Sequence, residues 1–256
     1  MRRIVRSALN MVADTLARLE HISFPQKYGW RWKFEMLLYR YEPETTRLLK
    51  HLLAPGMTFA DIGAHIGYFT RIGSHTVGAA GLVLAFEPDE ANRKLLQENT
   101  GRFSNVHILD TAVTDRDGLV DFYHVRESTG CHSTIPHSPS ARKESVPATT
   151  LDTFMSRNSI DRVDVIKMDI EGGEWRALLG MKKVLAQRSL HLIMEYNPEA
   201  LSRAGNSAEA LISFLFTHGF AVSALALGAE TPIRSAADLL PLAIGTQSVN
   251  LHCAKT

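Results

Sequence analysis

The residues whose types and spacing are best suited to binding a ligand surround two glycines, Gly63 and Gly67. They follow the apolar segment 57–62, which ends in Asp61 and Ile62, and a helical pattern begins directly after them. Glycine lets a ligand approach the backbone at the carboxyl end of a strand. Glu87 closes the next apolar segment, 20 positions after Gly67, where a carboxylate can accept both hydroxyls of a ribose. This spacing indicates a ligand that contains adenosine.

His65 and Asp61 decide which adenosine ligand suits the loop. A dinucleotide fingerprint, Gly-x-Gly-x-x-Gly, places a helix N-terminus against pyrophosphate, but His65 occupies the place of the middle glycine. The carboxylate of Asp61 would repel phosphate, whereas it suits an amino group or a sulfonium. S-adenosylmethionine therefore fits the pattern better than NAD.

A second group of carboxylates follows the apolar segment 163–168. Asp169, Glu171 and Glu174 lie within Asp-Ile-Glu-Gly-Gly-Glu. In a doubly wound sheet this turn adjoins the glycine loop at the topological switch point, so we expect Asp169 and Glu171 to border the transferred methyl group. The alternative is that Asp169 only satisfies loop amides. For Glu174 we expect a structural role at the next helix N-terminus.

An alcohol needs a base or a metal to lose its proton, because its pKa is close to the ~15.7 of bulk water. Asp169, Glu171 and Glu195 can act directly or around Mg²⁺, which takes oxygen ligands, although no metal ligand is assigned. His132 and His137, in a long polar connection, are alternative bases. We rank Asp169 and Glu171 ahead of His132 because a short turn positions a base more rigidly.

Alternating strands and helices must position these residues. Apolar runs predict strands at 57–62, 81–86, 106–109, 163–168, 190–195, 220–225 and 248–253, with an edge strand at 119–125. Helices are expected at 42–53, 66–77, 89–101, 174–185 and 208–217. This order predicts an α/β fold, a mostly parallel sheet with helices on both faces. The polar segment 126–147 is too long for a simple connection and is expected to be either a functional lid or disordered.

Composition and charge exclude several function classes. The 256 residues are 45% hydrophobic and 21% charged, as in an ordinary globular protein. Lys and Arg number 28 against 27 Asp and Glu, so we expect no nucleic acid partner. Two cysteines, Cys131 and Cys253, exclude a disulfide scaffold and favour a cytoplasmic protein. The longest apolar stretch, 77–86, is about half of the ~20 residues that a membrane helix needs.

The first 41 residues form a separate N-terminal extension, and residues 42–256 form the main domain. Residues 1–50 hold ten Lys and Arg against five Asp and Glu, which leaves 18 against 22 elsewhere. Apolar residues at helical spacing with interspersed arginines predict a basic amphipathic helix. We expect it to pack on its own domain or to mediate a homo-oligomer; membrane contact and targeting are alternatives. The cluster Trp30–Phe34 could stack on a base or sugar, or serve packing.

Several ordered blocks resemble the FkbM-type family of S-adenosylmethionine-dependent methyltransferases. The resemblance spans about residues 41–220 and rests on Glu42-Pro43-Glu44, Asp61-Ile62-Gly63-Ala64-His65-Ile66-Gly67, Phe86-Glu87-Pro88, Ala112-Val113, Thr150-Leu151-Asp152, Lys167-Met168-Asp169-Ile170-Glu171-Gly172 and Met194-Glu195. It implies the Rossmann-like class I methyltransferase fold, with a seven-stranded sheet whose last strand is antiparallel. It also implies methylation of a hydroxyl on a sugar, glycolipid or secondary metabolite.

The resemblance further implies roles for single residues. Asp61, Gly63 and Gly67 would surround the methionine portion and the ribose, Glu87 would hold the ribose hydroxyls, and Thr111 and Ala112 would lie near adenine. The expected donor-binding residues are Asp61, Gly63, Ala64, His65, Gly67, Tyr68, Phe69, Thr70, Glu87, Pro88, Thr111, Ala112 and Asp169. His65 departs from the family, which usually has Asn at this position.

Two other functions remain as alternatives. An NAD(P)-dependent oxidoreductase on a Rossmann fold is disfavoured by the missing middle glycine and by the absence of a Tyr-x-x-x-Lys pair. A non-catalytic module that binds S-adenosylmethionine without transfer is the other alternative, and His65 is its only indication.

Overall fold

The structure, a computed structural model, describes residues 2–125, 130, 132–136, 141–226, 228–243 and 248–255. Cys131 and His137 lie outside these residues. The helices are α1 (Arg2–Leu19), α2 (Trp30–Leu37), α3 (Pro43–Leu52), α4 (Tyr68–Val77), α5 (Glu90–Thr100), α6 (Leu151–Arg157), α7 (Glu174–Leu179), α8 (Lys182–Leu185), α9 (Pro198–Arg203), α10 (Ala208–Thr217) and a 3-10 helix (Ala236–Leu239). The strands are β1 (Thr58–Ile62), β2 (Leu82–Phe86), β3 (Val106–Leu109), β4 (Ala112–Val113), β5 (Gly118–His124), β6 (Arg142–Thr149), β7 (Val165–Met168), β8 (His191–Tyr196), β9 (Phe220–Ala226), β10 (Ala229–Ile233) and β11 (Val249–Lys255).

The main sheet confirms the predicted α/β class and contains all seven expected strands. Its order is β10-β9-β11-β8-β7-β1-β2-β3. Strands β3, β2, β1, β7 and β8 are parallel, while β11 runs antiparallel to β8 and β9. An eighth strand, β10, was not predicted; it forms because the chain turns back after β9 and pairs Ala229 with Ala226. The last strand of the sheet is antiparallel, as expected.

A second, three-stranded sheet has the order β4-β6-β5. The prediction of a loop over 126–147 was wrong for its C-terminal part, since β6 begins at Arg142. Val146 and Ala148 alternate along β6 and pack with Val120 and Phe122 of β5, so the strand buries one apolar face. The small sheet therefore replaces the last six residues of the expected loop, 142–147, and fixes the ends of the segment that carries His132.

Other elements pack on both faces of the main sheet, so its parallel strands bury side chains on both sides. Phe59 and Val83 pack on one face with residues of α3 and α4, including Leu49 and Phe69. Alternate residues of the same strands, such as Ile62, join the larger cluster on the other face. This two-sided burial holds the carboxyl ends of β1, β2 and β7 together at one edge.

The helix expected over 174–185 is broken into α7 and α8. Gly180 ends α7, and a β-carbon at this position would overlap the Thr114 carbonyl oxygen. Close packing against the small sheet therefore interrupts the helix. The helix expected from residue 89 is confirmed, since Asp89 caps α5 by accepting the Asn92 N–H at 2.8 Å and Gly101 follows its last residue.

In the N-terminal extension, α1 and α2 pack against each other. The Lys33 ammonium lies 2.5 Å from the Asp14 carboxylate across this pair. The connection between the helices is fixed to the main domain by Asn99, which accepts the Ser23 N–H at 2.6 Å and donates to the Ser23 and Ile66 carbonyls. Within the described chain, no helix has the length and apolar character needed to cross a membrane.

Candidate active site

The glycine loop, residues 63–67, joins β1 to α4. Gly63 and Gly67 have φ angles of 82° and 89°, which β-carbons disfavour. The backbone N–H groups of Gly63 and Ala64 both donate to the Phe86 carbonyl at 3.0 Å, which fixes the loop to the end of β2. A β-carbon at Gly63 would overlap the Asp169 carbonyl oxygen. The absence of a side chain at Gly63 thus lets the loop lie directly against the backbone at the end of β7.

Asp61 and Thr70 lie buried behind this loop rather than in an open cavity. The Thr70 hydroxyl donates to Asp61 Oδ2 at 2.6 Å. Asp61 Oδ1 has no hydrogen-bond partner among the residues that the structure describes. Burial raises the pKa of Asp61. Of the expected donor-binding residues, Asp61, Gly67 and Thr70 therefore form the support of the loop.

One cleft, named here the Glu87 cleft, lies beside the end of β2 and encloses about 510 Å³, part of it open to solvent. Its lining includes Gly63, His65, Glu87, Pro88, Thr111, Ala112, His132 and Asp169. Glu87 Oε2 accepts the His65 N–H at 2.8 Å and Oε1 accepts the Asp89 N–H at 2.9 Å. Burial raises the Glu87 pKa to about 7. The structure thus gathers eight sequence-predicted site residues in one cleft.

A larger space, named here the aromatic cavity, encloses about 1950 Å³, part of it open to solvent. The aromatic residues in its lining are Tyr28, Trp32, Tyr41, Tyr68 and Phe69, and the acidic residues are Glu42, Asp169, Glu171 and Glu195. Ala64 also lines it, so the predicted residues Ala64, Tyr68, Phe69 and Glu171 lie on this side. Both spaces share Gly63, His65, Asn92, Gly130 and Asp169. The two spaces therefore meet at the glycine loop and the end of β7.

The acidic turn, residues 169–173, depends on a buried carboxylate. Glu171 and Gly172 have φ angles of 54° and 102°. The Glu174 carboxylate accepts the N–H groups of Ile170 and Gly172, each at 2.9 Å, and burial raises its pKa to about 7. Ser133 Oγ lies 3.0 and 2.8 Å from the carbonyls of Ile170 and Glu171. These bonds hold the turn in a conformation in which Glu171 lines the aromatic cavity.

Lys167 is a buried cation next to this turn. Its ammonium lies 3.0 Å from Asp169 Oδ2 and 4.9 Å from the Phe69 ring centre. Burial alone would lower its pKa, but the carboxylates of Asp169, Glu42 and Asp61 hold the pKa of Lys167 above its usual range.

Asp169, Glu171 and Glu195 form a carboxylate group with oxygen atoms within 4.8 Å of one another. Burial, followed by the charges of Asp169 and Glu171, raises the pKa of Glu195 to about 10. Glu195 therefore carries a proton at neutral pH. Three such oxygen ligands suit the coordination chemistry of Mg²⁺.

Glu42 is a further acidic residue in the lining of the aromatic cavity. It precedes α3 with a φ of 39°, and its carboxylate accepts from the Asn250 side chain at 2.8 Å. Asn250 also donates to the Thr45 hydroxyl at 2.9 Å. Burial raises the pKa of Glu42. The C-terminal strand β11 thereby fixes one wall of the cavity.

The two histidines near the cavity junction have different surroundings. The Val125 N–H donates to His132 Nδ1 at 3.0 Å, so in the neutral ring Nε2 carries the hydrogen, 3.8 Å from Asp89 Oδ2. In neutral His132 only Nδ1 has a lone pair, and it already accepts the Val125 N–H, so no second lone pair is left to accept a proton. His65 has a pKa lowered to about 4, mainly by burial, and is neutral at pH 7. It adds no positive charge beside the glycine loop.

Five of the lining residues, which have aromatic, amide or ammonium side chains, were not predicted from the sequence as site residues. Tyr28 and Tyr41 carry no sequence signal of their own, and neither does Asn92. Trp32 was one member of an aromatic cluster with two alternative roles. Lys167 offered a signal that was missed, since a lysine inside a fully buried apolar strand requires charged partners.

The chemistry of these groups fits S-adenosylmethionine. Among the described residues, the Glu87 cleft has no Lys or Arg in its lining, so pyrophosphate would find no countercharge there. Glu87 offers a carboxylate to ribose hydroxyls, and the neutral His65 does not repel a sulfonium.

Comparison with known proteins shows similarity to methyltransferases. The chain matches the family described as "Methyltransferase FkbM domain" over residues 61–222. It is 25% identical over 185 residues to the 2-O-methyltransferase NoeI of Sinorhizobium fredii, which covers 66% of this chain and 75% of NoeI. It is 24% identical over 210 residues to the AMB antimetabolite synthetase AmbE of Pseudomonas aeruginosa, over 67% of this chain but only 10% of AmbE.

Solved structures of methyltransferases are also similar. A SAM-dependent O-methyltransferase from Thermotoga maritima has a TM-score of 0.47 at 13% identity, covering 84% of this chain and 65% of its own. A SAM-dependent methyltransferase from Aquifex aeolicus has a TM-score of 0.47 at 15% identity, covering 98% of both chains. The match to the family extends from Asp61 in the first strand to Val222 in β9 and includes the glycine loop, Glu87 and the acidic turn. The chain belongs to the FkbM family of S-adenosylmethionine-dependent methyltransferases.

Proposed function

We propose that this chain transfers the methyl group of S-adenosylmethionine to a hydroxyl of a small molecule or carbohydrate. The observation that carries the proposal is the junction of the Glu87 cleft with the aromatic cavity at Gly63, His65 and Asp169. A donor in the cleft and an acceptor in the cavity would meet at this junction. NoeI, which is named a 2-O-methyltransferase, supports the choice of oxygen as the acceptor atom.

Donor binding is assigned to the Glu87 cleft. The Glu87 carboxylate accepts hydrogen bonds from the ribose hydroxyls, while Pro88, Thr111 and Ala112 surround the adenine. The glycine loop lets the donor lie against the backbone at the end of β1. S-adenosylmethionine supplies an electrophilic methyl group at its sulfonium, and Asp61, behind the loop, stabilises that positive charge.

Glu171 is the best candidate for the base that takes the acceptor proton. Asp169 is paired with Lys167 at 3.0 Å, and Glu195 carries a proton at neutral pH. The single lone pair of neutral His132 already accepts from Val125. Glu171 lines the aromatic cavity, and its backbone is fixed through Ser133 and the Glu174-held turn. Most of the rate enhancement would still come from holding hydroxyl and methyl group in line.

A direct experiment separates this function from the alternatives. Calorimetric titration with S-adenosylmethionine, S-adenosylhomocysteine and NAD establishes the donor, and transfer of an isotopically labelled methyl group to hydroxyl and amine acceptors establishes the atom. We expect binding of the first two compounds and a methyl ether product. NAD binding alone, or a methylamine product, would contradict the proposal. Donor binding without transfer to any acceptor would identify a non-catalytic module.

A further inference from the structure

Part of the wall of the Glu87 cleft belongs to the small sheet and to the segment that follows β5. Phe122 of β5 and residues 132–134 line the cleft. The Tyr123 N–H donates to the Ser133 carbonyl at 2.8 Å, and the Ser133 N–H donates to the Tyr123 carbonyl at 3.2 Å. Because these bonds join the segment to β5, the position of the wall relative to Glu87 depends on how the end of β5 is held.

Asp89, the N-cap residue of α5, meets the end of β5. Its Oδ2 atom lies 3.2 Å from His124 Nδ1 and 3.8 Å from His132 Nε2. All three side chains are largely buried, and the two imidazole rings pack edge-on with their centres 4.9 Å apart. One carboxylate of the main domain therefore faces two histidines of the wall, one on the strand and one in the segment after it.

The hydrogens on both rings suit a negatively charged Asp89. His132 carries its hydrogen on Nε2, because its Nδ1 accepts a backbone N–H. His124 Nε2 lies 3.2 Å from Arg142 Nη2, which is a donor, so a neutral ring that accepts there carries its hydrogen on Nδ1. A protonated ring keeps that hydrogen and donates the second one to Glu144, 3.0 Å from Nε2. In either charge state of His124, an N–H faces the Asp89 carboxylate.

The same cluster is poorly suited to a metal ion, although its three possible ligand atoms lie within 4.8 Å of one another. A histidine ligand must offer the metal a nitrogen with a free lone pair. In His132 the backbone occupies Nδ1, and Nε2 carries the hydrogen of the neutral ring. The chemistry of the cluster is therefore that of N–H groups gathered around a carboxylate.

Asp89 also connects this wall to the carboxylate that is proposed to bind the ribose. Its backbone N–H donates to Glu87 Oε1 at 2.9 Å. Its Oδ1 atom accepts the Asn92 N–H at 2.8 Å, and Asn92 lines the cleft. The backbone and the two carboxylate oxygens of one residue thus contact Glu87, the first turn of α5 and the cleft wall.

We propose that Asp89 is a positioning residue for the methyl donor, which fixes the wall of residues 132–134 at the correct distance from Glu87. The proposal rests on the donor site proposed above, because it requires the adenosine portion to lie in the Glu87 cleft. Asp89 is not among the described residues that line this cleft, so it acts through His124 and His132. Without its charge, the two ring N–H groups lose their acceptor and the wall loses its attachment to α5.

The test measures the affinities of the full chain for S-adenosylhomocysteine and adenosine by calorimetry at about pH 8. Asp89→Asn removes the charge but keeps the helix cap and the backbone N–H, because Asn caps helices as well as Asp. Burial raises the Glu87 pKa only to about 7, so Glu87 is ionised in parent and variant at this pH. Differences in affinity then report the wall contact and not the charge of Glu87.

Two variants of His124 and one control complete the set. His124→Ala removes the ring, whereas His124→Asn places an amide N–H where Nδ1 stands. Ser207→Ala is the matched control, because Ser207 caps α10, no described residue of which lines the Glu87 cleft. Circular dichroism and the melting temperature are recorded for each variant, and the His124 pair tests the contact even if Asp89→Asn does not fold.

We expect Asp89→Asn and His124→Ala each to weaken both ligands about tenfold. The double variant should bind no more weakly than either single variant, because both changes break the same contact. His124→Asn should recover most of the parental affinity. Ser207→Ala should lower the melting temperature and leave both affinities unchanged.

Parental affinity in Asp89→Asn, additive losses in the double variant, or equal losses in His124→Asn and His124→Ala would overturn this proposal. Zn²⁺ binding that disappears in Asp89→Asn would also overturn it, because the cluster would then be a metal site. Glu87→Ala tests the donor site separately: a loss of affinity there with none in Asp89→Asn rejects the positioning role alone. Affinities that follow these expectations without methyl transfer would contradict the proposed function and leave the role of Asp89 in donor binding intact.

Discussion

Gly63 lies so close to Asp169 that a β-carbon on residue 63 would overlap the Asp169 carbonyl oxygen. The two residues follow neighbouring parallel strands, β1 and β7, whose paired residues end at Ile62 and Met168. Both residues line the Glu87 cleft and the aromatic cavity. The close approach of the two loop backbones therefore depends on the absence of a side chain at position 63.

The first prediction tests this contact with Gly63→Ala. A β-carbon there meets both the left-handed backbone strain, roughly 1–2 kcal/mol, and a backbone oxygen that cannot move aside easily. Gly56→Ala is a matched control, because Gly56 has a φ of 84° with nothing within 4 Å. Both variants should melt at lower temperature, but only Gly63→Ala should lose S-adenosylhomocysteine affinity, by about tenfold or more. Parental affinity in Gly63→Ala would show that the loop does not border the donor.

The second prediction concerns Glu87 and the donor ribose. Glu87→Ala should lose hydrogen bonds of roughly 1.5–3 kcal/mol, or about 10- to 150-fold in donor affinity. Because burial raises the Glu87 pKa to about 7, the parent should bind S-adenosylmethionine more tightly as the pH rises from 6 to 8. Glu87→Gln should flatten this dependence. Exposed Glu90 of α5 supplies the control, since Glu90→Gln should leave both affinity and pH dependence unchanged in calorimetry.

The third prediction concerns the stability cost of His65. Its pKa is lowered to about 4 in the folded chain, so the unfolded chain binds more protons between about pH 6.5 and 4. The free energy of unfolding should fall as the pH drops through this window, by roughly 2 kcal/mol at pH 5 from this group. His65→Asn should remove that part of the fall, and Asn tolerates the positive φ of 50°. Urea denaturation at pH 5 and 7 measures it; an equal fall in both proteins would contradict the assignment.

The fourth prediction concerns the base. Glu171→Gln keeps the side-chain volume and should lower methyl transfer by ~100- to 10,000-fold, with donor affinity nearly preserved. Asp169→Asn should also reduce transfer, but it should weaken the fold as well because it leaves Lys167 buried without its ion pair. His132→Ala should have a smaller effect on the rate. The assignment fails if both carboxylate variants keep full turnover while His132→Ala abolishes it.

Chelation distinguishes two roles for the same carboxylates. If Asp169, Glu171 and Glu195 hold Mg²⁺, EDTA should abolish transfer and added Mg²⁺ should restore it. If Glu171 acts alone as the base, EDTA should have no effect.

The fifth prediction concerns removal of residues 1–20. Donor binding should persist, because the bonds between Ser23 and Asn99 and all lining residues lie beyond the deletion. The deletion removes exposed apolar residues of α1, including Val12, Leu16 and Leu19, on which the predicted role in assembly depends. Light scattering should show a smaller oligomer or a less soluble protein. An unchanged oligomeric state, solubility and transfer rate would remove that role.

Local patterns predicted most of the fold correctly. Each core strand is a short apolar run between turn residues, and Asp89 and Gly101 marked both ends of α5. The strand β6 was missed because only two of its alternating positions, Val146 and Ala148, are apolar, and their partners Val120 and Phe122 lie more than 20 residues away. Pairing across such a distance leaves no local period in the sequence.

The site was predictable where the backbone dictates it and not where side chains converge. Gly63, Gly67 and Glu87 follow from strand ends and spacing. The pairing of Lys167 with Asp169 and the proton on Glu195 depend on burial, which the sequence does not encode locally. That Trp32 lines the aromatic cavity depends on how α2 packs against the main domain, so only the structure shows it.

The bonds from Asn250 to Glu42 and Thr45 join residues more than 200 positions apart. Glu42 lines the aromatic cavity, so that wall is complete only when β11 has paired with β8 and β9. Contacts of such high sequence separation form late, because their loop-closure entropy must be overcome first. In refolding experiments we expect the Glu87 cleft to become competent for donor binding before the aromatic cavity reaches its final shape.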